Sequence, residues 1–178
     1  ERLAAPTWTY GSWGYTMVLL QAPRVLGLFG LKGLAACFGP INQVLQVYGA
    51  ALYVIWAAVF VIWDWRHPGQ DLWQSSLVFL LGLYAISPGF GVQWLVWVIP
   101  IWLIVHDQGA IRYSTLAGLF LAGSYWQWSL NAKYRVWSIT ANLDQLTAVD
   151  LAGVILVGGL GVLTWGYCVR AVWRFTRT

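Results

Sequence analysis

The sequence predicts an all-α fold, a polytopic bundle of about five transmembrane helices preceded by an N-terminal interfacial or cavity-lining segment. The 178 residues are 60% hydrophobic and only 9% charged, whereas a soluble domain has about 25% charged residues. Fourteen tryptophans and nine tyrosines are typical of the boundary between lipid headgroups and hydrocarbon. We therefore expect an integral membrane protein.

Residues 1–42 are expected to form an external interfacial segment, and residues 43–178 the helix bundle. The stretch 16–38 is apolar but contains Arg24 and Lys32. A central arginine costs about 2.5–3.5 kcal/mol on insertion scales, so this stretch is predicted to lie at the interface or line a cavity.

The first span is predicted at 43–63, which contains no charge, because about 20 apolar residues cross the ~30 Å hydrocarbon core. A polar turn at 64–71 follows. The next apolar stretches, 72–86 and 91–105, are short and flank a hinge at 87–90. They form either two short spans that meet at one membrane face or a re-entrant pair whose tip lies below that face. We favour two spans, because flanking tryptophans extend each stretch into the interface.

Two further spans are predicted at 112–130 and 149–169. The first contains small residues that favour close helix packing. The second is followed by Arg170, Arg174 and Arg177, which indicates a cytoplasmic C-terminus. Counting back through five spans places residues 1–42, the hinge and the 131–148 loop on the external face.

The hinge has the composition of an anion site. Ser87 is predicted to cap the following helix with Pro88 in its first turn. The free amides near Gly89, Phe90 and Gly91, together with the helix dipole, would then favour a phosphate. A tight turn without a ligand is equally consistent with these residues.

Two tryptophans and a glutamine could line a cavity beside the hinge. Gln93 and Trp97 are four residues apart and share a helix face, and the glutamine amide suits either sugar hydroxyls or a neighbouring helix. Trp13 belongs to an aromatic and hydroxyl-rich segment, 7–15, which suits a carbohydrate or a membrane interface equally.

Residues 87–100, SPGFGVQWLVWVIP, resemble the SPGFGVQYLLWLLP signature of GT-C membrane glycosyltransferases, with Trp94 in place of the commoner tyrosine. Residues 10–14, YGSWG, are similar to an upstream Y-x-S/G-x-WG element of related bacterial members. The resemblance covers residues 8–105. It implies an inverting hexosyl or mannosyl transfer from a polyprenyl-phosphate donor to an acceptor hydroxyl, on the external face of a bacterial plasma membrane. The donor-binding residues are then expected to be Trp13, Ser87, Gly89, Gly91, Gln93 and Trp97.

In such enzymes the catalytic carboxylate lies in the first external loop, near the N-terminus, and no residue here matches it. Glu1, Asp144 and Asp150 carry no motif, so we assign no catalytic residue. The sequence begins at Glu1 rather than Met, and we expect it to be the C-terminal portion of a longer polypeptide whose N-terminal part completes the site. The alternative is a non-catalytic membrane helix bundle, such as a transporter half or an assembly subunit.

The partners implied are a lipid-linked sugar donor and membrane lipid. No nucleic-acid partner is expected, because the ten basic residues form no dense block. We predict no cofactor and no metal, because His67 and His106 have no further ligands in sequence to complete a coordination shell.

Overall fold

The computed structural model describes residues 13–89, 91–134 and 147–177, and every regular element in these ranges is helical. The all-α class is therefore confirmed for the described residues. The elements are α1 (Gly14–Leu28), α2 (Lys32–Ala36), α3 (Phe38–Arg66), α4 (Leu72–Ile86), a 3₁₀ helix (Val92–Trp97) that continues as α5 (Val98–Ile104), α6 (Gly109–Tyr134) and α7 (Ala148–Phe175).

Two helical segments are long and apolar enough to cross a membrane. The first is Lys32–Arg66, which includes α2 and α3, and the second is α7; their mean hydropathies are 2.0 and 1.9. Only 6% and 28% of the residues in their most apolar stretches are buried. A core helix of a soluble protein would bury most of such a stretch, so the exposed apolar surface indicates membrane association. The count of five spans stays a prediction.

Helix α4 begins and ends at local sequence signals. Asp71 caps its start by accepting a hydrogen bond from the Trp73 amide at 3.1 Å. The helix ends at Ile86 because Ser87 precedes Pro88, and a residue before proline is excluded from the helical region by its clash with the ring. Ser87 has φ −59° and ψ 126°, so it is the C-cap of α4.

The prediction that Ser87 begins the next helix is therefore wrong. The 3₁₀ helix starts at Val92, and Gly91 is its N-cap, with φ −66° and ψ 119°. Three residues separate the two caps, and Ser87 is held by the turn between them rather than by the following helix.

The α4–α5 hairpin (72–104) reaches only about half-way along the two longest helices. Its turn meets α3 near the middle of that helix, where a Cβ on Gly49 would lie 2.7 Å from the Pro88 ring. It meets α7 at Trp165, whose indole nitrogen is 2.7 Å from the Ala85 carbonyl oxygen. At 1.5 Å per residue, the 29 residues of α3 extend about 43 Å, so Gly49 lies about 16 Å from the start of this helix and about 26 Å from its end.

Helix α1 starts at this same level and extends away from the hairpin, toward the N-terminal ends of α3 and α7. Gly14 has φ +50°, and the Trp165 ring lies against its Cα, where a side chain would collide. Further along α1, Met17 packs against Gly158 of α7, and Asn42 of α3 donates to the Leu19 carbonyl at 3.0 Å. The N-terminal end of α1 thus meets the C-terminal end of α4. We call residues 13–16, 84–89 and 91–97 the helix junction.

The hydrophobic core surrounds the helix junction. Its members come from α1, α4, the 3₁₀ helix and α5, α6 and α7. The largest fully buried side chains in it are Trp13, Trp102, Tyr113, Phe120, Leu77, Leu81 and Leu95. On the α3 side, Gly82 of α4 leaves room for the Trp56 ring, which lies directly against the α4 backbone.

Candidate functional site at the helix junction

Neutral aromatic donors satisfy the last carbonyls of α4, which have no partner within the helix. The Trp13 indole donates to the Tyr84 carbonyl at 2.7 Å. The Trp165 indole donates to Ala85 and the Tyr15 hydroxyl to Ile86, each at 2.7 Å. Three consecutive carbonyls are thereby paired by side chains of α1 and α7.

Two tyrosines do the same for the 3₁₀ helix. The Tyr84 hydroxyl donates to the Trp94 carbonyl at 2.6 Å, and the Tyr113 hydroxyl donates to the Leu95 carbonyl at 2.9 Å. An unpaired peptide group in an apolar environment costs several kcal/mol. These bonds therefore allow a non-helical turn to lie deep inside an apolar bundle.

Ser87 and Gly89 are held by α3. The Ser87 side chain is fully buried, and its Oγ lies 2.7 Å from the Tyr53 hydroxyl. The Gly89 amide donates to Ser87 Oγ at 3.3 Å, and Tyr53 donates to the Gly89 carbonyl at 3.2 Å. Of the three amides that we predicted to be free for an anion, that of Gly89 is therefore paired with Ser87, and that of Phe90 lies outside the described residues.

Gly91 gives Gln93 its position. A Cβ on Gly91 would lie 2.5–2.8 Å from the Gln93 side-chain amide, so only glycine lets this amide fold back over the backbone. The Gln93 side chain is exposed. Of the six predicted donor-binding residues, Gly91 and Gln93 thus adjoin each other at the accessible side of the turn.

Trp97 is paired with Trp94, a residue that we did not predict as part of the site. The two rings stack with centroids 5.9 Å apart and planes 21° apart. They are 63% and 41% exposed. In a 3₁₀ helix residues i and i+3 eclipse, so the three-residue spacing stacks these rings. The W-x-x-W spacing was visible in the sequence, but we assumed α-helical geometry and paired Trp97 with Gln93.

Trp13 lies between α4 and α6, but it offers no accessible surface. It is 0% exposed, its indole N–H is bonded to Tyr84, and its ring packs on Phe120 with centroids 5.6 Å apart. The accessible part of the helix junction is instead formed by Gln93, Trp94 and Trp97. We call these three residues the tip face.

The carboxylate that we considered near the external end is remote from the tip face. Asp150 lies in the first turn of α7 and pairs with Lys133 at 2.6 Å. Trp165 is about 22 Å further along that helix at 1.5 Å per residue. Glu1 and Asp144 lie outside the described residues. In the ranges that the structure describes, no three His, Cys, Asp or Glu side chains group together as metal ligands.

Comparisons with known protein families, with curated proteins and with solved structures found no match to this chain.

Proposed function

We propose that this chain is part of a membrane-embedded glycosyltransferase that takes a sugar from a polyprenyl-phosphate donor. The observation that carries the proposal is the tip face, where an exposed amide adjoins two stacked, exposed indoles. Indole faces pack well against the apolar faces of sugar rings, and the Gln93 amide has both donors and acceptors for hydroxyls. Such a combination suits a sugar better than it suits lipid tails.

The position of the tip face supports this proposal. In a membrane, a turn half-way along α3 and α7 would lie near the middle of the bilayer, where non-helical backbone occurs in binding sites of broken-helix proteins. This favours the re-entrant interpretation of the 72–104 hairpin over two separate spans. The resemblance of residues 87–100 to the GT-C signature concerns this same turn.

The orientation in this proposal rests on the arginine-rich end of α7, which would lie in the cytoplasm. Helix α1 and the start of α3 would then face the external side. The donor sugar would reach the tip face from the external half of the bundle. The general base would come from the N-terminal part of the same polypeptide, since none of the contacts described at the helix junction involves a carboxylate.

The test is sugar transfer by the full-length polypeptide in membranes, with polyprenyl-phosphate mannose as donor. Trp94→Ala combined with Trp97→Ala should lower kcat/KM at least tenfold, which corresponds to about 1.4 kcal/mol. Gln93→Ala should have a similar effect. Gly91→Val should act through Gln93, because the new valine side chain would occupy the space of the Gln93 side-chain amide.

A matched control is Trp65→Ala, since Trp65 is 82% exposed at the end of α3 and lies far from the tip face. Unchanged transfer in the Trp94 and Trp97 variant, with normal expression, would refute the assignment of the tip face.

A second candidate function is a non-catalytic membrane helix bundle, a transporter half or an assembly subunit. It is favoured by the complete pairing of the α4 carbonyls and by the full burial of Trp13 and Ser87. Under this function the two indoles contact lipid. It predicts no donor-dependent transfer in membranes containing the full-length polypeptide and no effect of polyprenyl-phosphate mannose on its unfolding temperature.

A further inference from the structure

A second polar cluster lies at the opposite end of the α4–α5 hairpin from the tip face. A pocket of about 100 Å³ opens between the first turn of α6 and the last turns of α7. Its lining consists of Arg112, Tyr167, Arg170, Ala171 and Arg174. We call it the arginine pocket. No part of the proposed glycosyl transfer uses it.

The arginine pocket is built by helix periodicity. Residues 167, 170, 171 and 174 recur at the spacing of one helix face, so their side chains converge on the same side of α7. Ala171 is buried and leaves the floor open because its side chain is small. The Tyr167 hydroxyl donates to the Gly109 carbonyl at 3.2 Å, which ties α7 to the start of α6 and brings Arg112 to the opposite wall.

In the part of the chain that the structure describes, the charge of the pocket is only partly neutralised. Arg174 pairs with Asp107 at 2.8 Å. Neither of the two ion pairs in the described residues includes Arg112 or Arg170, and both of these side chains are exposed. Three guanidinium groups and one carboxylate leave two positive charges. Guanidinium groups bind phosphate oxygens in a bidentate manner.

The arginine pocket lies where an exposed apolar surface ends. Ile111 and Leu163 are 69% and 61% exposed. Beyond them, Trp173 is 59% exposed, and the Arg177 guanidinium lies 3.6 Å from its ring centroid. An apolar surface bordered by tryptophan and arginine is typical of the lipid headgroup level. A phosphate presented by a lipid would therefore reach this depth.

We propose that the arginine pocket binds the phosphate group of an anionic lipid. Arg112 and Arg170 contact the phosphate oxygens, and Asp107 holds Arg174 in place beside them. One water molecule needs about 10–15 Å³ of cavity volume. The pocket volume of about 100 Å³ therefore admits a phosphate group with a few waters but not a whole sugar headgroup. The acyl chains would lie along the exposed apolar side chains of α6 and α7.

The test uses the purified chain in a nonionic detergent and the temperature of its unfolding midpoint. Dioctanoyl phosphatidic acid and dioctanoyl phosphatidylglycerol should raise the midpoint in a saturable way, since a ligand that binds only the folded state stabilises it. Dioctanoyl phosphatidylcholine should not. In Arg112→Gln combined with Arg170→Gln, the half-saturating lipid concentration should rise about 10–30-fold, as expected for the loss of two basic contacts.

The matched control is Arg66→Gln combined with Arg177→Gln, which removes the same charge outside the pocket lining and should keep the wild-type response. An equal shift with inorganic phosphate, lost in the Arg112 and Arg170 variant, would support the phosphate site and assign it to a soluble source. No lipid-dependent shift, or an equal shift in the two double variants, would overturn the proposal. If the double variant is unstable, Arg112→Gln alone provides the comparison, with an expected rise of about fivefold.

Discussion

The two ends of the α4–α5 hairpin satisfy their polar groups by opposite means. At the tip, the α4 carbonyls accept hydrogen bonds from the neutral side chains of Trp13, Trp165 and Tyr15. At the base, the Asp107 carboxylate accepts from the Gly109 amide at 2.6 Å and from Arg174 at 2.8 Å. The same hairpin therefore has an uncharged tip and a charged base.

This difference follows from where each end lies. A charge buried in an apolar environment costs far more than a paired neutral group, whereas a charge near water is tolerated. The tip lies half-way along α3 and α7, and the base lies at their ends. Neutral indole and phenol groups are therefore the hydrogen-bond donors that suit the apolar environment of the tip. They agree with a turn that enters the bundle from one side only.

The largest expected effect is on the tip. Replacing Trp13 and Trp165 by Phe keeps the rings but leaves two buried α4 carbonyls without donors, at about 1–3 kcal/mol each. We expect the double variant to lose about 2–6 kcal/mol of the free energy of unfolding, measured by denaturant titration in detergent. The matched control replaces Trp65 and Trp128, which are 82% and 70% exposed, and should change stability by less than about 0.5 kcal/mol. Equal free energies of unfolding for the two double variants would contradict the view that the tip hydrogen bonds stabilise the protein more than exposed tryptophans do.

The next effect concerns the close contact between the turn and α3. Gly49→Val should destabilise the protein by about 1–3 kcal/mol, because the new side chain displaces Pro88 from the α3 backbone. Gly39→Val is the control on the same helix, since nothing lies within 4 Å of a Cβ there. Thermal unfolding of both variants checks this prediction. A similar loss in the two would mean that helix propensity, not the turn, sets the stability.

A smaller and pH-dependent effect is expected at the base. Partial burial acts to raise the pKa of Asp107, but the hydrogen bonds from Arg174, Trp102 and Gly109 outweigh it and lower the pKa below its ordinary value. Asp107→Asn should cost about 1–2 kcal/mol at pH 7. Because the folded pKa is lowered, this stabilisation is present above the unfolded pKa of about 3.9 and is lost as the pH falls through the folded value.

Unfolding titrations from pH 7 to pH 3 should therefore show wild type and Asp107→Asn converging at the acid end. A difference that stays constant over this range would contradict the role of the ionised carboxylate. The tip variants should keep a constant difference from wild type, since the described tip contacts involve no carboxylate.

The smallest expected effect is at the turn itself. Tyr53→Phe removes the hydroxyl that contacts Ser87 and Gly89 and should cost about 0.5–1.5 kcal/mol. Tyr48 lies on the same helix and is 66% exposed, so Tyr48→Phe should leave the free energy of unfolding unchanged. Thermal unfolding of the two variants checks this difference. No loss in Tyr53→Phe would mean that Pro88 packing alone holds the turn.

Local signals in the sequence predicted helix boundaries well. The 72–86 stretch coincides with α4 because Asp71 and Pro88 act on their immediate neighbours. The 91–105 stretch is close to the described 92–104. The 3₁₀ geometry at 92–97 was not predicted. Two of its carbonyls accept hydrogen bonds from the hydroxyls of Tyr84 and Tyr113, which belong to other helices. The stacking of Trp94 on Trp97 was missed for this reason.

The candidate site was only partly predictable. Gln93 and Trp97 are accessible, whereas Ser87 and Trp13 are fully buried and bonded to other residues. Their partners lie 34 and 71 positions away in sequence. Residue type alone shows that a serine hydroxyl or a tryptophan N–H is able to bind a ligand. It does not show whether that group already forms a hydrogen bond within the protein.

By itself the sequence determined that this chain is helical and apolar and that a proline and two glycines interrupt it at 87–91, because composition and local backbone preference act within a few residues. Tertiary structure alone decided that this turn lies half-way along α3 and α7, that aromatic side chains pair its carbonyls, and that three arginines converge at the other end. Those outcomes depend on which helices pack together, and apolar burial favours contact without specifying a partner.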